Sequence, residues 1–361
     1  MAMFNSTTEP DYAVAPGEFI REWMDENSVN ARTLAHRLDV TEKHVSMLLS
    51  AKASLTPDMA VRLEAVTGTP AHIWNRYESL YRQDLVRIKR YAQLAGEYET
   101  AVKFPLYELD KRGCLVWDKM NPGATVHRLL SFFGVASVSA LESSYGKLAV
   151  QYKRTESHTP SEFSLWAWLR LGEIEANQLD VAPFSRDRLL EILPELRALS
   201  TNINAECFHR MVDLCASAGI ALSFVPEMRN IRVYGATRWI NGTPILQLSA
   251  RGKKDDNLWF ALFHELGHVA LHPRSDVYIE GGGSPDVDAA AEAEANEFAS
   301  NNLVPPEYRD RLPRTRNKQK IIDLAREIGV SPGIVLGQAQ HITRDYRWGH
   351  DLRKTLVFVE E

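Results

Sequence analysis

Five residues, His264-Glu265-Leu266-Gly267-His268, limit what this chain can fold into more than any other stretch. They sit in the run Leu258 to His272, where Asp255 and Asp256 precede a long apolar segment without proline. A helix is expected there, with the two acids as its N-terminal cap and favourable charge. Residues four apart on a helix point the same way, so both imidazoles face one point and the carboxylate beside the first can reach a water held between them. That is the outline of a zinc hydrolase site, with His264 and His268 as Zn2+ ligands and Glu265 as general base. Trp259, Phe260, Leu262 and Phe263 surround the first histidine, which points to a buried helix. A core helix whose histidines merely satisfy hydrogen bonds accounts for each histidine alone but not for the five-residue pattern.

A catalytic zinc usually takes three protein ligands, so a third must come from elsewhere. His272 follows His268 by four, yet three ligands on consecutive turns of one straight helix cannot converge on one ion; His272 is expected to be an outer or structural contact. Ala289 to Ala299 is Ala-rich and strongly helical. At about 100° per residue, Ala291, Glu292, Ala295, Phe298 and Ala299 share a face, with Glu294 off it and Glu297 opposite. A carboxylate on a buried face wants a cation, so Glu292 is the expected third ligand and Asn296, one turn later, an outer hydrogen-bonding partner. Asp288, one turn earlier on that face, is the alternative.

His264-Glu-Leu-Gly-His268, then Glu292-Ala-Glu-Ala-Asn296-Glu-Phe298-Ala299 and Leu303-Val-Pro305, resemble the ImmA/IrrE family of zincin-like metallopeptidases. In that family the Glu opening the second motif completes the metal site. The resemblance implies a gluzincin-like domain that cleaves protein substrates, often repressors of stress or mobile-element genes.

At 361 residues the chain is long enough for two or three domains. A net charge of -5 gives no global attraction to nucleic acid, so DNA binding would need a local surface. Cys114, Cys207 and Cys215 are widely spaced, which excludes a disulfide framework or zinc ribbon and fits a reducing cytoplasm. Neither a leader nor a long uncharged apolar run is read, so no membrane partner is expected. Gly281-Gly-Gly283 is not followed by Gly-Lys-Ser/Thr and reads as a joint rather than a phosphate loop.

From Pro16 the sequence predicts short helices: one opened by Pro16, Ala31 to Leu38 capped by Asn30, Glu42 to Ser50 capped by Thr41, and one started by Thr56-Pro57-Asp58. Leu34, Ala35 and Leu38, the Asp39-Val40 turn, then Val45, Met47 and Leu48 have helix-turn-helix spacing. The third helix would enter the major groove with Glu42, Lys43, His44 and Ser46. Pro16-Gly-Glu-Phe-Ile20, this motif, Leu55-Thr-Pro-Asp-Met-Ala60 with Arg62-Leu63, and Trp74 resemble XRE-type, HigA-like regulators over roughly Pro16 to Tyr81. Such regulators bind operator DNA as dimers, and HigA proteins also neutralise a toxin encoded beside them, which implies operator DNA, a homodimer partner and a cognate toxin. This copy departs from the pattern with Ala31 opening the second helix, Asp39 at the turn and Glu42 in the reading helix. Residues 1–75 also hold six Lys/Arg against ten Asp/Glu, which opposes counterion-driven DNA binding and leaves room for a protein-interaction module.

Residues 76–90 turn basic, with five Lys/Arg against two acids, most simply a solvated helix face. Further helices are expected at Pro105, Ala124 to Phe133, Pro160 to Ala176, Arg186 to Ser200 and Ala205 to Ala218, with Trp166 and Trp168 as core. Strands follow at Ala221 to Val225, Ile231 to Ile240 and Ile245 to Ser249, with a tight hairpin at Asn241-Gly242. Ile245 to Ser249 is the candidate edge strand for holding extended substrate; Tyr234, Arg238 and Tyr278 are candidate oxyanion donors. Asn317 to Ile328 and Pro332 to Ile342 close the chain, with His341 as a packing residue.

The expected fold is mainly α with a small β-sheet (α+β). A helix-turn-helix domain (1–80) is followed by a helical middle region (81–200) and a zincin-like domain (201–361). The expected function is a cytoplasmic DNA-binding regulator whose zinc endopeptidase domain cleaves a repressor or a toxin-system partner. The competing reading is a HigA-like antitoxin or repressor with a non-catalytic zincin domain, and the third an interaction scaffold.

Overall fold

In the computed structural model the described residues are 11–153, 161–249, 251–272, 278–280, 289–314 and 316–356, with backbone alone at 147–153 and 278–280. They form a mainly helical chain with one small mixed sheet. The chain groups into two compact units, one running to Val102 and adding Leu109–Gly134, the other combining Lys103–Glu108 with the chain from Val135 onward.

The first unit begins with α1 (Pro16–Glu26), α2 (Ala31–Leu38), α3 (Glu42–Leu49), α4 (Pro57–Thr67) and α5 (Ala71–Leu94). Caps read from the sequence are present: Asn30 Oδ1 accepts from Thr33 N at 2.9 Å and Thr41 Oγ1 from His44 N at 3.2 Å. Asp39 takes the left-handed conformation that ends α2 (φ 54°), which a short polar side chain tolerates better than most. Arg62 donates to the carbonyls of Leu38 and Asp39 at 3.0 and 3.2 Å, satisfying acceptors that the helix end leaves open. Gly17 lets α1 lie on the end of α3, since a Cβ there would stand 2.6 Å from Leu49 O. Phe19 stacks on Tyr77 at 4.1 Å and Trp74 is buried, so α5 closes this core. The division expected at residue 80 falls inside α5, which runs unbroken across it. This unit continues with α6 (Tyr98–Ala101), and α7 (Leu106–Lys111) lies where the two units divide. Next comes α8 (Pro122–Phe133). Pro122–Gly146 has the length and composition of a membrane span, yet left-handed Gly134 splits it into α8 and α9 (Val138–Lys153).

The second unit contains α9, α10 (Glu162–Ala176), α11 (Arg186–Ala198) and α12 (Ala205–Ser217), then β1 (Ala221–Phe224), β2 (Gly235–Ile240) and β3 (Thr243–Leu248). The metal-motif helix is α13 (Asp255–Leu271), and β4 (Tyr278–Glu280) precedes α14 (Ala289–Leu303). Short α15 (Pro306–Arg309), α16 (Lys318–Ile328) and α17 (Pro332–Thr343) finish the unit. Sheet order is β1-β3-β2-β4, with β1 parallel to β3 and the other pairs antiparallel. Asn241 and Gly242, both at positive φ (50° and 84°), make the two-residue turn between β2 and β3. The strand expected from Ile231 begins only at Gly235.

Alternation sends the two sheet faces to different helices. Arg238 and Gln247 face α10: Arg238 donates to Leu169 O at 2.7 Å and Gln247 to Trp168 O at 2.7 Å, while Trp168 Nε1 donates to Val225 O at 2.9 Å. Gly235, Thr237, Leu246 and Leu248 face α13. Both faces of the sheet are therefore covered, and the buried residues of α13 form the centre of the larger core.

The expected Asp255-Asp256 cap is corrected: Lys254 occupies the cap position without a side-chain bond, and both acids lie in the first turn, buried. Asp255 accepts from Ser331 Oγ at 2.6 Å and Lys354 N at 2.9 Å. Asp256 pairs with Arg353 at 2.7 Å; burial, with Asp255 adding, pushes its carboxyl up against the opposing pull of Arg353. These contacts hold the last described segment against the start of α13. Asp255→Ala would strand the fully buried Ser331 hydroxyl, and a loss of about 3 kcal/mol is expected from removing one partner of a buried charged network. Thermal unfolding should show the midpoint falling by several degrees, with Asp255→Asn losing less; an unchanged midpoint in Asp255→Ala would refute the anchoring role.

Candidate metal centre

Helix α13 carries His264, Glu265 and His268 into the interior because it is apolar on all sides: each of the three is no more than 1% exposed. Helix α14 approaches through small residues. A Cβ on Gly267 would lie 3.1 Å from Ala295 Cα, a tight contact that α14 could relieve only by moving back a few tenths of an ångström. Ala291, Ala295 and Ala299 are buried along that seam, as the sequence periodicity predicts, and Glu292 hangs over the histidine pair.

His264 Nε2 and His268 Nε2 lie 3.0 Å apart, and Glu292 reaches them at 3.3 and 3.5 Å. Among the described residues these three form the cluster able to hold a metal ion. Ligands about 2.0–2.1 Å from a tetrahedral Zn2+ stand about 3.3 Å from one another, so the observed spacings suit that ion. The protonation states suit it too. Burial pushes the His268 imidazole down toward its neutral form. Burial alone would raise the Glu292 carboxyl, but hydrogen bonds and charge from His264 and His268 override it and hold the group well below the usual carboxylate range. The donor set is thus two imidazoles and one carboxylate.

The other ring nitrogens are also engaged. His264 Nδ1 lies 3.2 Å from Asn296 Oδ1, and His268 Nδ1 lies 2.9 Å from His272 Nδ1. His272 Nε2 is 3.2 Å from Glu294 Oε2. Coordination through Nε2 requires His264 Nδ1–H to donate to Asn296, His268 Nδ1–H to donate to His272, and His272 Nε2–H to donate to Glu294. Sequence periodicity places Glu294 off the face that carries Glu292. It lies off the buried face but reaches the end of α13 through His272.

Glu265 is seated against β2. Thr237 Oγ1 donates to its Oε2 at 2.6 Å, and a Cβ on Gly235 would stand 2.7 Å from its Oε1. Gly235 and Thr237, two apart on one strand face, thus form a fitted seat for the carboxylate. Neither residue was singled out from the sequence; the signal available was their shared period-2 face in a strand ahead of the metal helix.

Three expectations change. Ile245 to Ser249 is no edge: β3 is bonded to β1 on one side and β2 on the other, so its backbone has no place for substrate. The described edges are β1 and β4. Arg238 is buried on the α10 face, away from Glu265, and is no oxyanion donor. Of the other two candidates, Tyr234 lines a cavity of about 590 Å³ together with Phe260 and Asn296. Tyr278 pairs through its backbone with Thr237. His341, expected to pack, is exposed and borders the same cavity. Asp288 and Gly281–Gly283 lie outside the described residues. On α3, Glu42, Lys43 and Ser46 are exposed and His44 is half-buried; Glu42 lies 3.6 Å from Arg32. The three cysteines are free and buried.

Residues 220–338 match the Peptidase_M78 family, described as the IrrE N-terminal-like domain. That match contains both histidines, Glu265 and Glu292. A stretch of 59 residues is 39% identical to a protein named "Uncharacterized HTH-type transcriptional regulator YddM" from Escherichia coli (strain K12), covering 16% of this chain and 63% of the relative. The chain therefore spans less than two thirds of the length of that curated relative. The two matches support a helix-turn-helix regulator joined to an IrrE-like, metallopeptidase-like domain.

Proposed function

We propose that this chain is a cytoplasmic DNA-binding regulator whose C-terminal domain (201–361) is a zinc-dependent endopeptidase that cleaves a repressor or partner protein. The observation that carries the reading is the convergence of His264, His268 and Glu292 at tetrahedral spacing, with Glu265 seated one residue away. When bound, Zn2+ supplies a Lewis acid that polarises a peptide carbonyl and brings the pKa of water to about 7. Glu265 takes the proton of the attacking water and returns it to the departing amine. Thr237 fixes the rotamer of Glu265 through its hydroxyl, while Asn296 and His272 orient the imidazoles. Tyr234 is the candidate donor to the developing oxyanion.

The N-terminal domain (1–80) reads operator DNA through α3 as a homodimer, with Lys43, His44 and Ser46 facing the groove and Glu42 at the helix start. Isolated helix-turn-helix monomers bury too little DNA contact for good specificity. A HigA-like role, with a cognate toxin as a further partner, is the narrower form of this proposal.

One Zn2+ per chain is expected. Glu292→Ala should lose the metal, whereas Glu294→Ala, which removes only the outer contact to His272, should keep it; elemental analysis of dialysed proteins decides, and full zinc in Glu292→Ala would overturn the ligand set. Glu265→Gln should retain zinc and fold but cleave the product of a neighbouring gene at least about a hundredfold more slowly. Equal rates at matched metal content would sink the general-base role, and no cleavage of any neighbouring gene product by wild type would favour a non-catalytic regulator. Replacing Lys43 and His44 with Ala should weaken binding to the chain's own promoter in gel shifts, and no sequence preference in wild type would favour an interaction module.

A further inference from the structure

The cavity of about 590 Å³ beside the metal centre lies within the second unit, between α13, α14 and α17. Its α13 wall is Asp256, Asn257 and Phe260, the row that leads along the helix to His264. Phe260 stacks on the His264 ring, with centroids 6.3 Å apart, and Asn296 contacts His264 Nδ1, so the cavity ends one side chain from the candidate ligands. From Asp256 to His264 is roughly 12 Å along the helix, the span of about three to four extended residues.

Its chemistry is divided. Phe260, Leu303, Ile334 and Ile342 provide apolar surface. Asp256 and Arg353 neutralise one another at 2.7 Å, and Gln338 is tied to Ser300 O at 3.2 Å. Arg309, at the end of α15, also lines the cavity and is half-buried; its carbonyl accepts from Leu312 N at 3.2 Å, but its guanidinium has no ion pair or hydrogen bond among the described residues. A guanidinium without a partner beside an apolar recess is a fork for a carboxylate.

We propose that this cavity is the substrate-specificity subsite of the candidate peptidase, taking a large apolar residue flanked by an acidic one, with Arg309 reading the carboxylate. The proposal rests on the peptidase reading for its role, but its test reads binding alone. The probe is a set of fluorescein-labelled octapeptide pools with a central Leu and either Glu, Gln or Lys at both neighbours, the remaining positions randomised among Ala, Ser, Thr and Asn. Fluorescence anisotropy is measured with the zinc-loaded Glu265→Gln protein. The Glu pool should bind about tenfold more tightly than the Lys pool, a difference expected when an attractive charge pair is exchanged for a repulsive one. Arg309→Ala should level the pools and Arg309→Glu should reverse their order. Because the Arg309 side chain holds no other group among the described residues, both variants should keep zinc content and unfolding temperature. Equal binding of all pools, no binding of any, or a preference that survives Arg309→Ala would overturn the subsite. Charge-dependent binding without cleavage of any protein would leave the subsite standing and remove the peptidase role; cleavage without charge preference would do the reverse.

Discussion

The contact on which the site depends is the close passage of α13 over α14, Gly267 against Ala295. Glutamate is a short side chain, and helices packed through ordinary residues lie about 8–10 Å apart. Removing the side chain from one helix and reducing it to a methyl on the other brings Glu292 to within 3.5 Å of both imidazoles. A methyl on Gly267 would press on the Ala295 backbone, and the few tenths of an ångström needed to relieve it would be added to the α13–α14 spacing that sets those distances. The glycine inside the His-Glu-x-x-His run is thus a packing residue, and the two motifs are one structural unit.

The sequence made legible whatever depends on local periodicity. His264 and His268 share a face by their spacing, and the Ala-rich helix put Glu292 on the buried side because alanines mark where another helix must approach. The positions of the strands were a different matter. Whether β3 lies at an edge depends on β1 joining it in parallel and β2 returning against its other side, partnerships that no local pattern encodes. Thr237 and Arg238 face opposite ways on β2, and no local pattern says which of two apolar helices covers each face; one supports the candidate base and the other bonds the main chain of α10. Glu294 was hidden for the same reason: its partner His272 lies 22 residues away in sequence.

The N-terminal unit shows how departures from a pattern can leave a fold intact while altering its surface. Asp39 accepts the left-handed turn, and Arg62 binds the carbonyls around it, so the turn between α2 and α3 is held without glycine. Glu42, the acid at the start of α3, faces Arg32 at 3.6 Å across exposed surface, a pairing that offsets little in water and is open to exchange for other partners. Fold and charge are therefore separable here: the caps and core fix where the third helix lies, and only the side chains on its outer face decide what it meets.

The buried acids at the start of α13 act together with the candidate metal ligands toward its far end. A slip of one residue along this helix would move each ligand by about 1.5 Å and turn it by about 100°, enough to dissolve the cluster. An apolar helix packed on all sides resists displacement but specifies its register weakly, since one aliphatic side chain substitutes for another at modest cost. Charged groups do not allow that freedom. Asp255 has its acceptors filled by Ser331 and Lys354, Asp256 meets Arg353, and Glu265 meets Thr237, so a shift would leave buried carboxylates without their partners. The polar contacts thus fix the register that the apolar surface leaves loose, and the candidate metal centre inherits its geometry from them.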